Sequence, residues 1–226
     1  MITTLDTQTW AETGTRLLSS SLDRLGDRDL DAPCALPGWT RRHLLAHVAS
    51  NAEAIGRLLE WARTGVETPM YSSPEQRAAD IETGSARPDL REWVRASATT
   101  LTAAMDALPA EAWSARVVTA QGRIVPASET PWMRARETCI HAVDLDAGTT
   151  FAELPDAFLR HLLDEVAAWR SSRGGGPAVV LVTPETRHDI AGDGAPQHVE
   201  LPLAAAAAWI VGRGPGPDQL ALPRWL

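Results

Sequence analysis

The chain has 226 residues, 44% hydrophobic and 22% charged, a balance that suits a soluble globular protein of one large domain or two modest ones. Its net charge of −8 argues against a nucleic-acid partner, which needs a basic face, but leaves room for a local arginine cluster opposite an anionic small molecule. All 21 basic residues are arginine, so lysine Schiff-base chemistry is excluded, and two cysteines, Cys34 and Cys139, are too few for a disulfide scaffold.

The opening MITTLDTQTW is polar and unlike a signal peptide, and no run approaches the roughly 18 apolar residues of a membrane span. A cytoplasmic location with no membrane partner is expected. Residues 8–25 place Trp10, Leu17, Leu18, Leu22 and Leu25 near one helical face. After the loop RDLDAPCALPGW, Thr40 caps a second helix to about Arg63, with Leu44, Leu45, Val48, Ile55, Leu58, Leu59 and Trp61 on its apolar side. TGVETPMYSS reads as a loop, Ser73-Pro74-Glu75 starts a short helix, and Pro88-Asp89 opens a long one through Ala107. Residues 115–126 read as a hairpin turning at Gln121-Gly122.

Residues 131–148 predict a further helix, with Thr130 as N-cap, Pro131 in the first helical position and Gly148 as the left-handed terminator. A helix from about Pro155 to Arg170 follows, and SSRGGGP reads as a flexible break. PAVVLV is then a buried strand, with 186–191 and 197–201 able to pair with it, before an alanine-rich helix ending at Trp209-Ile210 and a Pro/Gly-rich tail. The expected architecture is α+β: a helical bundle with a β insertion over 1–150 and a small α+β domain over 151–226. The nine tryptophans are expected as core fillers and helix anchors.

Within the helix from Pro131, Glu137 and His141 differ by about 40° around the axis and point the same way. RRHLLAHVASNAEAI places His43 and His47 four residues apart, with Asn51 a turn further. If facing bundle helices bring His47 against Glu137 and His141, two imidazoles and one carboxylate form a zinc site with an open fourth position, the catalytic pattern. The same donors suit iron in facial geometry. Spacing alone favours the plainer reading, a surface ion pair for Glu137 and His141 and a hydrogen-bonded core histidine at His47. Asp144 shares their face and either orients a ligand or is solvated near the helix end. Cys139 lies about 200° from Glu137 and should face away as a small core residue. Cys34 lacks an activating partner in the sequence. HExxH, GxSxG and a phosphate-cradling glycine loop are all missing.

The segments LPGWTRRHLLAHVASNAEAI, EWARTGVETPMYSS, GRIVPASETPWMRARETCIHAVDLDAG and WIVGRG, in that order, resemble the mycothiol-dependent maleylpyruvate isomerases, within the wider DinB-like metalloprotein group. The resemblance implies a DinB-like four-helix bundle followed by a small α+β domain, in a monomer. It implies that His47, Glu137 and His141 bind zinc and that Arg213, of the GR pair, serves catalysis at the active site. It further implies conversion of maleylpyruvate to fumarylpyruvate, in the gentisate branch of aromatic degradation, with the thiol supplied by mycothiol. A zinc with two neutral imidazoles and one carboxylate keeps a net charge of about +1, which should deprotonate an entering thiol near neutral pH. Thiolate addition to the electron-poor double bond, rotation and expulsion then give the trans product. The substrate is a dianion, so an arginine should clamp a carboxylate. Arg213 is the first choice, with Arg134 and Arg123 as weaker candidates for which an ordinary surface salt bridge is the more usual role. Two other outcomes share these residues: a mycothiol S-transferase, which consumes the thiol, and a non-catalytic module whose metal holds the bundle together or senses redox state.

Overall fold

The computed structural model describes residues 2–217, 220–223 and 225. The chain divides into two compact units, Met1–Thr149 and Thr150–Leu226.

The first unit is a bundle of four long helices, α1 (Thr4–Asp23), α2 (Arg41–Thr64), α4 (Leu90–Asp106) and α5 (Thr130–Asp144), with the shorter α3 (Pro74–Ser85) laid on α2. α1 begins four residues earlier than the apolar periodicity indicates. Thr3 and Asp6 form a capping box there, satisfying two amide donors that would otherwise be unpaired. α2 starts at the expected Thr40 cap, but His43 occupies the box position usually held by Glu or Gln, its Nδ1 2.7 Å from Thr40 Oγ1. α2 ends at Gly65 with φ of +75°. Leu44, Leu45, Val48, Ile55, Leu58 and Leu59 are buried as their spacing predicts, while Trp61 is half-buried. The hairpin forms from β1 (Arg116–Val118) and β2 (Ile124–Pro126), paired antiparallel with Val117 opposite Val125.

α5 departs from its predicted boundaries at both ends. Thr130 is the first helical residue and not the cap, because a 3-10 turn over Ala127–Glu129 runs straight into the helix and the Thr130 hydroxyl donates back to the Ala127 carbonyl. The helix ends at Asp144, where the Leu145 amide donates to His141 O. Asp146 takes the left-handed conformation at φ +53°, so Gly148 at φ +92° shapes the following loop instead of terminating the helix.

In the second unit α6 spans Asp156–Arg173. It runs through Ser171, Ser172 and Arg173, so the expected flexible break shrinks to Gly174–Gly176; Gly174 closes the helix with φ +65°. The sheet order is β4–β3–β5, with β3 (Pro177–Val182) central, β4 (Arg187–Ile190) antiparallel to it and β5 (Asp193–Glu200) parallel. β5 starts four residues before the predicted strand. The chain passes from one side of β3 to the other in two residues, and Gly192 makes this crossing with its Cα so close to the Gly176 and Pro177 backbone that a side chain has no room. α7 (Leu203–Ile210) packs on α6. No helix among the described residues is long and apolar enough to cross a membrane.

Candidate metal centre

α2 and α5 run antiparallel, and each turns one part of the centre inward. His47 on α2 is buried, with its Nε2 2.9 Å from Glu137 Oε2 on α5. His141, one turn beyond Glu137, brings its own Nε2 to 3.2 Å from the same oxygen. The two imidazoles meet edge to face with centroids 5.1 Å apart. One ligand atom from each of the three residues lies within 4.8 Å of the others, the only such group of three or more His, Cys, Asp or Glu among the described residues. The Glu137 side chain keeps 30% of its surface exposed, so the centre opens to solvent on the carboxylate side.

Asp144 is fully buried, and its Oδ2 lies 2.9 Å from His141 Nδ1. A proton held on Nδ1 by this carboxylate leaves the Nε2 lone pair facing Glu137 and His47, as a metal ligand requires. The donor set therefore fits a divalent ion: two imidazole nitrogens and a carboxylate oxygen converge, with a second carboxylate behind one ring.

The charges follow from these contacts. Burial pushes the His47 imidazole below its ordinary value, against the pull of Glu137, and keeps it neutral. Burial would likewise lower His141, but hydrogen bonds to Asp144 and Glu137 outweigh it and raise this imidazole to about 9. Burial also opposes the Glu137 charge, yet the two histidines hold its carboxyl well below the usual range. Without metal, the centre is a carboxylate paired with the His141 imidazolium.

Three further side chains border the centre, none of them singled out by the sequence analysis. Trp39 presents its ring edge to face against His47, with centroids 5.7 Å apart. The exposed Arg77, on α3, brings Nη2 to 3.5 Å from His47 Nδ1, and its guanidinium lies 5.7 Å from the Tyr71 ring. Burial raises the Tyr71 hydroxyl above its ordinary value. Tyr71 is the chain's single tyrosine and falls in the quoted segment EWARTGVETPMYSS, which is the signal that could have drawn attention to it. Arg77 sits on a helix with a weak apolar stripe and carried no such signal.

The other predicted residues have different surroundings. Arg134 is neither exposed nor in a surface salt bridge, contrary to the ordinary expectation for an arginine. It is 3% exposed, with its guanidinium turned into α2, where Nη1 donates to Val48 O at 2.8 Å and Asn51 Oδ1 at 3.0 Å. Burial lowers its pKa to about 10. Arg123 is exposed in the hairpin turn. Arg213 belongs to the second unit, where it follows α7 and Nη1 donates to Val211 O. His43 points elsewhere, with Nε2 3.3 Å from Glu82 Oε2. Cys139 faces away from Glu137 as the helical angle predicts; its Sγ lies 3.6 Å from Trp10 O, and burial pushes the thiol up to about 12. Burial also raises the Cys34 thiol, so neither cysteine is activated as a nucleophile.

Residues 11–146 match the family model described as the mycothiol maleylpyruvate isomerase N-terminal domain. Two solved structures resemble the whole chain: a mycothiol-dependent maleylpyruvate isomerase and a histidine-to-alanine mutant of such an enzyme. Each is 41% identical, with a TM-score of 0.92 and 100% of both chains covered. Comparison with the curated proteins finds no match. With the family model spanning more than half of the chain and both structures matching it from end to end, the chain belongs to the mycothiol maleylpyruvate isomerase family.

Proposed function

We propose that this protein catalyses the mycothiol-dependent cis–trans isomerisation of maleylpyruvate to fumarylpyruvate, using zinc held by His47, Glu137 and His141. The observation that carries the reading is the convergence of these side chains from α2 and α5, with Asp144 behind His141, in a chain of this family. A divalent zinc bound there supplies a position at which the mycothiol sulfur is held as a thiolate, the nucleophile that reversibly saturates the substrate double bond.

The chain's own residues do the rest. His47 and His141 donate neutral nitrogens, and Glu137 adds one negative charge, leaving the occupied centre net positive. Asp144 fixes the His141 ring and takes up the charge of its Nδ1–H. Arg77 stands against His47 and over Tyr71, available to one carboxylate of the dianionic substrate. Arg213 is assigned to the second carboxylate and to the negative charge that develops on the keto oxygens, on the strength of the resemblance around WIVGRG. Arg123 is a weaker candidate for the same task. Arg134 has its donors directed into the protein and is not assigned to substrate. The proposed setting is a cytoplasmic monomer.

The test follows maleylpyruvate and fumarylpyruvate together with free mycothiol, omitting zinc and mycothiol in turn. The isomerase reading requires fumarylpyruvate to form only with both present and mycothiol to be recovered in full. Consumption of mycothiol one for one with substrate would identify an S-transferase. Absence of turnover, with zinc retained and His47→Ala merely unfolding, would leave a structural metal and overturn the enzyme reading.

A further inference from the structure

Two arginines bracket the candidate ligands along the antiparallel pair α2 and α5. At one end Arg41, six residues before His47, donates from Nε to Leu145 O at 2.9 Å and from Nη2 to Asp146 O at 2.7 Å, just past the end of α5. At the other end Arg134, three residues before Glu137, reaches across to Val48 O and Asn51 Oδ1, one and four residues after His47. The ligands thus lie between two cross-helix ties, each within about 9 Å of helix rise. α5 packs most extensively on α1, and α2 on α4, so apolar contact between the two ligand-bearing helices is the narrower one. Ridges on paired helices permit several registers of similar packing energy. A guanidinium seated on one backbone carbonyl and one amide oxygen permits a single register.

We propose that Arg134, together with Asn51, is a positioning residue for the metal centre, setting the span between His47 and the Glu137–His141 pair. The inference rests on the metal-centre reading above. The burial of Arg134 favours this role over contact with substrate: at 3% exposure the side chain cannot swing out without leaving a cavity and taking its donor from two acceptors, Val48 O and Asn51 Oδ1. The Val48 carbonyl contact ties Arg134 to the residue immediately after His47, so a shift of α5 along α2 is felt directly at the ligand.

The experiment compares zinc affinity of the full chain, stripped of metal, by competition with a chromophoric chelator, and the visible spectrum with Co2+ in place of zinc. The variants are Arg134→Met, Asn51→Ala, His47→Ala and, as a control for plain loss of stability, Leu101→Ala in α4. The proposal expects zinc affinity at least tenfold weaker and an altered Co2+ spectrum in Arg134→Met and Asn51→Ala. Leu101→Ala should melt earlier yet keep both properties. If Arg134→Met does not fold, Asn51→Ala decides alone. Affinity within twofold of the parent and an unchanged spectrum in the folded variants would overturn the positioning role, provided His47→Ala abolishes binding. Unchanged binding in His47→Ala would instead overturn the metal-centre reading.

Discussion

The behaviour of the centre turns on where one proton sits. His141 is held protonated up to about 9 by Asp144 and Glu137, whereas burial keeps His47 neutral. A metal entering below pH 9 must therefore displace one proton, from His141. Zinc affinity is expected to rise about tenfold per pH unit from 6.5 and to level off near 9. A chelator competition across that range checks this, and a pH-independent affinity would refute the assigned charges. Arg77 offers a second test at this scale. A charge-assisted hydrogen bond is worth roughly 1.5–3 kcal/mol, so Arg77→Ala should lower kcat/KM for maleylpyruvate by about ten- to a hundredfold. Zinc content should be unchanged, because Arg77 donates no electron pair to the metal. Equal kinetics in the variant would remove it from the substrate site. Spacing put Glu137 and His141 on one face of a single helix, and the resemblance joined them to His47 as candidate ligands. Arg77 could not be named in this way, because its place beside His47 depends on how α3 lies on α2.

Among the elements, α5 matters most, because one of its faces carries Glu137, His141 and Asp144 while the opposite one packs on α1. The contact with α1 is set by Gly14. A Cβ added there would lie 2.7 Å from the Cys139 backbone nitrogen and even closer to the Thr138 hydroxyl. Gly14→Ala is therefore expected to destabilise the fold by about 1–3 kcal/mol through overpacking, since backbone on α5 cannot yield as a flexible side chain would. Chemical denaturation measures this directly, and an unshifted midpoint would show that the helices separate without cost. The existence of α1 through α7 was legible from apolar spacing, cap signals and composition, and the buried faces of α1 and α2 from apolar spacing. The ends of the helices were not always so. The cap at Thr40 was read correctly, but Thr130 looked like a cap and is helical, because the 3-10 turn before it already carries the chain into the helical sense. The end of α6 was placed three residues early, as serines that often sit in loops also hydrogen-bond back to helical carbonyls, here Ser171 to Ala167 and Ser172 to Trp169.

For the molecule as a whole, metal and pH act on stability through the same residue. Without metal, the raised value of His141 stabilises the folded state fully below its unfolded value of about 6.5, and that contribution is lost as pH rises through about 9. The Tm of the metal-free protein should fall over this interval. Zinc at a hundred times its dissociation constant should add about 2.7 kcal/mol and cancel or reverse the fall, because binding strengthens as the proton leaves. Calorimetry at pH 6.5 and 9, with and without zinc, tests both; a metal-free Tm that rises with pH would contradict the protonated state of His141. Family membership follows from the match over residues 11–146 and from two structures aligned over the full chain. By itself, the sequence determined an α+β chain, the buried faces of α1 and α2, the exclusion of Cys139 and the donor types available to a metal, because each depends on residue type and the local periods of helix and strand. Only the tertiary structure decided that His47 meets Glu137 across a sequence separation of 90, that Asp144 backs His141, and that Arg134 is buried against α2. Those contacts depend on the register between packed helices, which is fixed by side-chain interdigitation and cross-helix hydrogen bonds rather than by the pattern within any one helix.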